Sequence, residues 1–234
     1  MMQSVRHNEQ ILIFDADDTL WENNVIFERV VDDFVEWLAH PSLQPTEIRR
    51  ILAEIEEANI VTHGYGSKVF LRSLTDCFTH LMERPLTPDE ENDMTRFRAA
   101  FTSGRVELIA EVADVLDELR ERHELYLVTK GVPDEQQRKI DASALASHFE
   151  HVHIVAEKDV DTYRELARRH QLVGDTTWMI GNSPKSDIEP ARAAGLRAVF
   201  IPNVNTWALE HAELDLDDEG ILQLGSITEL LDHF

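Results

Sequence analysis

Ile11-Leu12-Ile13-Phe14-Asp15-Ala16-Asp17-Asp18-Thr19-Leu20-Trp21 runs four apolar residues straight into three carboxylates. Its β-branched and aromatic start reads as a short strand buried on both faces. The acidic cluster then stands at the C-terminal end of that strand, where open α/β sheets bind ligands. Carboxylates this close repel one another and are relieved by a proton or a cation. A divalent metal is a natural guest, and magnesium prefers oxygen ligands. The same residues also suit a plain acidic turn, because Asp is frequent in turns and Asp or Thr caps helices. Both readings stand until the rest of the chain is taken in.

Beyond Trp21 the pattern turns helical. Val30, Phe34, Trp37 and Leu38 space a helix over 25–39, and Pro41 and Pro45 break it. A second helix runs from Thr46 to about Asn59, followed by a glycine loop, His63-Gly64-Tyr65-Gly66. Ser67 is placed to cap a third helix over 68–82, and a fourth runs from Pro88 to about Phe101. Residues 22–103 therefore read as an all-α insertion. From Glu107 onward helices alternate with strands at Leu125–Val128, Val152–Val155, Trp178–Ile180 and Ala198–Ile201. Counting Ile11–Phe14, the expected core is a doubly wound, Rossmann-like parallel α/β sheet of five strands. It takes in residues 1–21 and 104–234. A loose acidic region and a short helix over 226–232 complete the chain.

Composition narrows the function classes. The 234 residues are 43% hydrophobic, enough for a sizeable core and a smaller module. Forty-five acidic against 22 basic residues leave a net charge of −23, which disfavours nucleic acid and anionic membrane surfaces as partners. A local positive site still accommodates one small anion. Cys77 is the single cysteine, so an intrachain disulfide is excluded, and a cytoplasmic setting is expected. The polar start Met1–Gln10 lacks an apolar signal-peptide core, and no stretch approaches the ~18 apolar residues of a membrane span.

The first four strands each deliver polar groups where they stop: Asp15 and Asp17, then Thr129-Lys130-Gly131, then Lys158, then Gly181-Asn182-Ser183-Pro184-Lys185-Ser186-Asp187. Taken singly, each has an ordinary explanation as a turn, a solvated lysine or a helix-end charge. Taken together they describe one crevice. Carboxylates there suit a cation, while a hydroxyl, lysines and backbone N–H groups suit the oxygens of a phosphoryl group.

In these four motifs the chain resembles the haloacid dehalogenase-like (HAD) hydrolase superfamily. Asp15-Ala16-Asp17-Asp18-Thr19 matches DxDxT, Thr129 the second motif, Lys158 the third, and Gly181–Asp187 the GDxxxxD form of the fourth, except at Asn182. The all-α stretch 22–103 lies where the family inserts its helical caps, and a cap of that kind is expected to set substrate choice. The resemblance implies that Asp15 is the nucleophile, forming an aspartyl-phosphate, and that Asp17 is the general acid and base. It implies that Thr129 and Lys158 bind the phosphoryl group, with Lys130 beside them, and that Lys158 holds Asp15 ionised. It implies Mg2+ as cofactor, held by Asp15, Asp17 (through its carbonyl), Asn182 and Asp187. An amide at position 182 still ligates magnesium but brings no charge, so weakened metal affinity is expected.

The activity so implied is Mg2+-dependent hydrolysis of a small phosphate monoester by a cytoplasmic monomer or homodimer. Dehalogenases of the superfamily lack the second aspartate, so Asp17 favours ester hydrolysis. A 2-haloacid dehalogenase, a phosphomutase, and a weakly active or non-catalytic binding member are the alternatives.

Overall fold

The computed structural model describes residues 9–101, 105–215 and 217–234. The chain divides into two compact units. One is formed by the described residues up to Asn24 and from Arg105 onward, the other by those between. The expected boundary at 103/104 and most of the polar start Met1–Gln10 lie outside the described residues.

The first unit is a parallel sheet covered on both faces. Its strands are β1 (Ile11–Phe14), β4 (Glu124–Lys130), β5 (His151–Val155), β6 (Thr177–Gly181), β7 (Arg197–Phe200) and β8 (Ile221–Gln223), in the spatial order β5-β4-β1-β6-β7-β8. In register, Phe14 lies beside Leu127 on one side and Ile180 on the other. Alternation sorts the strands' side chains into two cores. Leu12, Phe14, Leu125, Leu127, Trp178 and Ile180 pack with α5 (Val112–Leu119) and Ile140 of α6 (Pro133–Ser143). Ile13, Tyr126, Val128 and Met179 pack instead with Tyr163 and Leu166 of α7 (Val160–His170) and Ala191 of α8 (Glu189–Ala193).

The sheet has six strands, not the five expected. The addition, β8, pairs only with β7 and is three residues long. So short an edge strand, beginning just after Gly220, carries almost no periodic signal. A second omission is a two-stranded antiparallel ribbon, β2 (Trp21–Glu22) with β3 (Glu107–Leu108). Glu107 therefore opens a strand, and α5 begins only at Val112. Past β6 the chain makes a π-helical turn, Pro184–Ile188, running into the short α8.

The second unit holds α1 (Asn24–Leu38, entering from the first unit), α2 (Pro45–His63), α3 (Ser67–Met82) and α4 (Pro88–Ala99). Its own core collects Phe34, Ile48, Leu52, Leu74, Cys77 and Phe97. Phe27 meets Phe70 edge-on at 4.9 Å between centroids. Thr87 and Glu90 form a reciprocal capping box at the start of α4. Ser67 does not cap α3: Gly66, at φ +115°, holds that position, with no side-chain cap bond. Burial pushes the Cys77 thiol up to about 12, which leaves it a small apolar core group. Among the described residues no helix is long and apolar enough to cross a membrane.

Candidate active site

The chain builds β1, β4 and β5 outward in one direction, then returns to the other side of β1 for β6. The connections diverge at the β1–β6 boundary, which is where doubly wound sheets open a crevice. Asp15 directly follows β1, and its backbone N–H donates to the Ile180 carbonyl of β6 at 2.9 Å. Asn182 directly follows β6. These two positions, 167 apart by their numbers, become neighbours through sheet order.

Lys158 stands at the centre of the charge arrangement. Its ammonium is almost wholly buried and pairs with Asp15, and with Asp187 Oδ1 at 2.8 Å. Burial alone would pull it below the ordinary lysine range. The two carboxylates outweigh that and hold the group well above the ordinary lysine range. Asp187 is pushed up to about 7 by burial, against the pull of Lys158. Its second oxygen accepts from the Ser183 N–H at 3.0 Å, which ties it to the turn after β6. Beneath the group Tyr163 is fully buried and donates its hydroxyl to the Ser186 carbonyl at 3.0 Å. Burial keeps that phenol protonated.

Thr19 links the two strand ends. Its hydroxyl lies 2.9 Å from Asp15 Oδ2 and 3.2 Å from Asn182 Oδ1. One proton thus faces two acceptor oxygens, and converging oxygens of this kind suit a hard cation. Among the described residues no three Asp, Glu, His or Cys side chains converge as a metal cage. One carboxylate and one amide oxygen are donors that would fit magnesium, which prefers oxygen ligands.

Asp17 points elsewhere. Lys139 Nζ lies 2.9 and 2.8 Å from its two carboxylate oxygens and also donates to Asn23 Oδ1 at 2.7 Å. The Trp21 indole N–H donates to Asp17 Oδ1 at 2.7 Å, and Gln136 Nε2 to Oδ2 at 3.2 Å. The same Gln136 amide donates to Thr129 Oγ1, so Thr129 and Asp17 share a partner. Gly131, at φ +145°, takes a conformation L side chains rarely adopt, and a Cβ there would press on Gln136 Cγ at 3.2 Å. Asp18 accepts the N–H groups of Asn23 and Asn24 where α1 begins, and burial raises its carboxyl to about 7.

Lys130 is drawn away from this group. Its ammonium donates to Glu210 Oε1 at 2.7 Å and to Ser186 Oγ at 2.8 Å, with Glu157 at 3.3 Å. The segment Asn203–Glu210, between β7 and β8, lies across the strand ends. Asn203 Nδ2 donates to the Asp18 carbonyl at 2.9 Å, and Thr206 Oγ1 accepts from Asn182 Nδ2 at 2.7 Å.

Several of these participants were not anticipated. Gln136 and Lys139 are three apart on one face of α6, directly after Gly131, and that spacing was the available signal. Thr19 was hidden inside its motif. Thr206 and Glu210 sit in an irregular segment with no period to reveal them.

A family model described as haloacid dehalogenase-like hydrolase matches residues 10–195. A phosphoserine phosphatase from Thermus thermophilus is 34% identical over 103 residues, which is 42% of this chain and 41% of that protein. The match thus spans less than half of that relative. Among solved structures, a haloacid dehalogenase-like hydrolase from Xanthomonas campestris superposes with a TM-score of 0.80 at 25% identity, covering 95% of this chain and 92% of that one. An L-2-haloacid dehalogenase from Xanthobacter autotrophicus shares the fold with a TM-score of 0.55 at 18% identity, over 82% of this chain and 77% of that one.

Proposed function

The chain belongs to the haloacid dehalogenase-like hydrolase family, and from that premise we propose that it is a Mg2+-dependent phosphatase of small phosphate monoesters. One observation carries the choice of reaction. A second aspartate, Asp17, stands two residues past Asp15 and shares the Gln136 amide with Thr129 at the end of β4. Hydrolysis of an ester needs such a group to move a proton, whereas halide leaves carbon unassisted. The phosphatase relative from Thermus supports the same choice.

Asp15 attacks phosphorus through a carboxylate oxygen while the bond from phosphorus to the ester oxygen breaks. Asp17 gives its proton to the departing oxygen. Water then attacks the aspartyl-phosphate, Asp17 takes a proton from it, and Asp15 is released with inorganic phosphate. Lys158 pairs with Asp15 and offers an ammonium to the transferring oxygens. Thr129 adds a hydroxyl at the end of β4. Asp15, the Asp17 carbonyl and Asn182 Oδ1 would hold the metal, with the charge of Asp187 nearby. When bound, magnesium supplies the positive charge that lets a phosphate dianion approach a carboxylate. Lys130, already engaged by Glu210 and Glu157, acts in this reading by holding the Asn203–Glu210 segment.

The four-helix unit, inserted between the first and second motifs, serves as the cap that selects substrate. The protein works in the cytoplasm as a monomer or homodimer on a small phosphorylated metabolite. The name of the Thermus relative places phosphoserine first in a substrate screen. The deciding assay is p-nitrophenyl phosphate turnover with and without Mg2+, beside Asp15→Asn. Turnover is expected to need Mg2+ and to fall at least ~10^3-fold in the variant. Turnover that survives Asp15→Asn, or chloride release from a 2-haloacid in place of phosphatase activity, overturns the proposal.

A further inference from the structure

Asn182 is not symmetric as a carboxylate is. Only its Oδ1 end ligates a hard cation, and its Nδ2 end, carrying two protons, would repel one. The direction in which the amide faces therefore decides whether position 182 serves a metal at all. Electron-rich neighbours on both sides permit either orientation, and the protons they carry decide between the two.

On the crevice side stands Thr19, whose single proton is shared between Asp15 Oδ2 and Asn182 Oδ1. On the far side stands Thr206, with Oγ1 2.7 Å from Asn182 Nδ2 and 3.5 Å from the Asn182 backbone carbonyl. The Thr206 hydroxyl has one proton to give. Directed at the backbone carbonyl, that proton leaves a lone pair facing Nδ2, which draws the NH2 end away from Asp15. Thr206 is itself anchored. Its N–H donates to the Asn203 carbonyl at 3.0 Å, its carbonyl faces His211 Nε2 at 3.0 Å, and Asn205 Nδ2 holds Glu22 at 3.2 Å. At the end of the same segment Glu210 grips Lys130 and Ser183.

We propose that Thr206 is a positioning residue that turns the Asn182 amide oxygen toward Asp15 and so makes an asparagine serve where a charged ligand is usual. The proposal rests on the magnesium reading above. With aspartate at position 182 an oxygen faces the crevice in either orientation, and Thr206 loses its importance.

The test is calorimetric titration of MgCl2 alone into the full chain, for wild type, Thr206→Val, Thr206→Ser, Asn182→Asp and the double variant, with thermal melts alongside. Thr206→Val is expected to weaken Mg2+ binding by ~10–100-fold, the usual range for a group that orients a ligand. Thr206→Ser, which keeps the hydroxyl, should bind within ~3-fold of wild type by the same reasoning. Asn182→Asp should bind more tightly, and adding Thr206→Val to it should cost less than ~3-fold. Wild-type affinity in Thr206→Val, or an equal loss in both backgrounds, overturns the positioning role while leaving the magnesium reading intact. A wild-type chain that binds no Mg2+ overturns both.

Discussion

Gly181 lacks a side chain where Asp187 needs the space. A Cβ at 181 would lie 2.1 Å from Asp187 Oδ2, 2.4 Å from its Cγ and 2.8 Å from its Cβ. Asp187 has little room to retreat, because Ser183 and Lys158 each hold one of its oxygens. Gly181→Ala should therefore push Asp187 off Lys158 and leave a buried ammonium short of one counter-ion. The expected cost is about 2–4 kcal/mol of stability. Turnover should fall about 10^2-fold, as displaced reacting groups usually require. A thermal melt and a p-nitrophenyl phosphate assay check both, and a variant matching wild type in the two would contradict the packing described. At this scale the sequence put Asp15 and Thr129 where apolar runs end, Lys158 just past a third run and Asp187 in the turn that follows Gly181. It did not show what Asp17 or Asn182 touches. Lys139 reaches Asp17 across 122 positions and Thr19 reaches Asn182 across 163, and no local pattern encodes such pairs.

Among the elements, β5 and α7 carry a histidine cluster apart from the crevice. His151 and His153 are two apart on β5, and His170 ends α7. His153 and His170 face each other Nε2 to Nε2 at 3.0 Å, and the rings of His151 and His170 are 4.3 Å apart. Burial, then the neighbouring His170, Arg169 and His151, pulls the His153 imidazole down to about 4 from its ordinary 6.5. Burial lowers His170 in the same direction, with His151 and Arg169 adding to it. As pH falls, the unfolded chain takes up the proton before the folded one. The stability tied to His153 is complete above about 6.5 and is lost as pH falls through about 4. His153→Gln should flatten the decline in melting temperature between these limits. The gain over wild type at the acid end should be on the order of 1 kcal/mol, discounted for partial exposure. Parallel melting curves for the two proteins would rule out this contribution. Helices and central strands were legible from periodicity. The ribbon of β2 with β3 and the edge strand β8 were not, since two or three residues establish no period.

Across the whole molecule, acidic residues outnumber basic ones 45 to 22, and several of the scarce cations are committed to particular carboxylates. Lys158 serves Asp15 and Asp187, Lys139 serves Asp17, Lys130 serves Glu210, and Arg192 serves Asp218. The net charge of −23 therefore acts largely as self-repulsion, which salt screens. Raising NaCl from about 10 to about 200 mM at pH 8 should lift the melting temperature by about 2–4 °C, equivalent to about 1 kcal/mol at this chain length. A melting temperature unchanged or lowered by salt would show that the acidic surface costs the fold nothing.

The sequence by itself determined the parallel α/β core, its helical insertion and the polar groups waiting at the ends of the first four strands it revealed. These follow from periodicity and from motifs only a few residues long, which act locally. Tertiary structure alone decided that β1 lies between β4 and β6, that a sixth strand closes the sheet edge, that Lys130 turns to Glu210, and that the Asn203–Glu210 segment backs Asn182. Each of these depends on contacts between residues far apart in the chain. Only the order of the strands brings such residues within hydrogen-bonding reach.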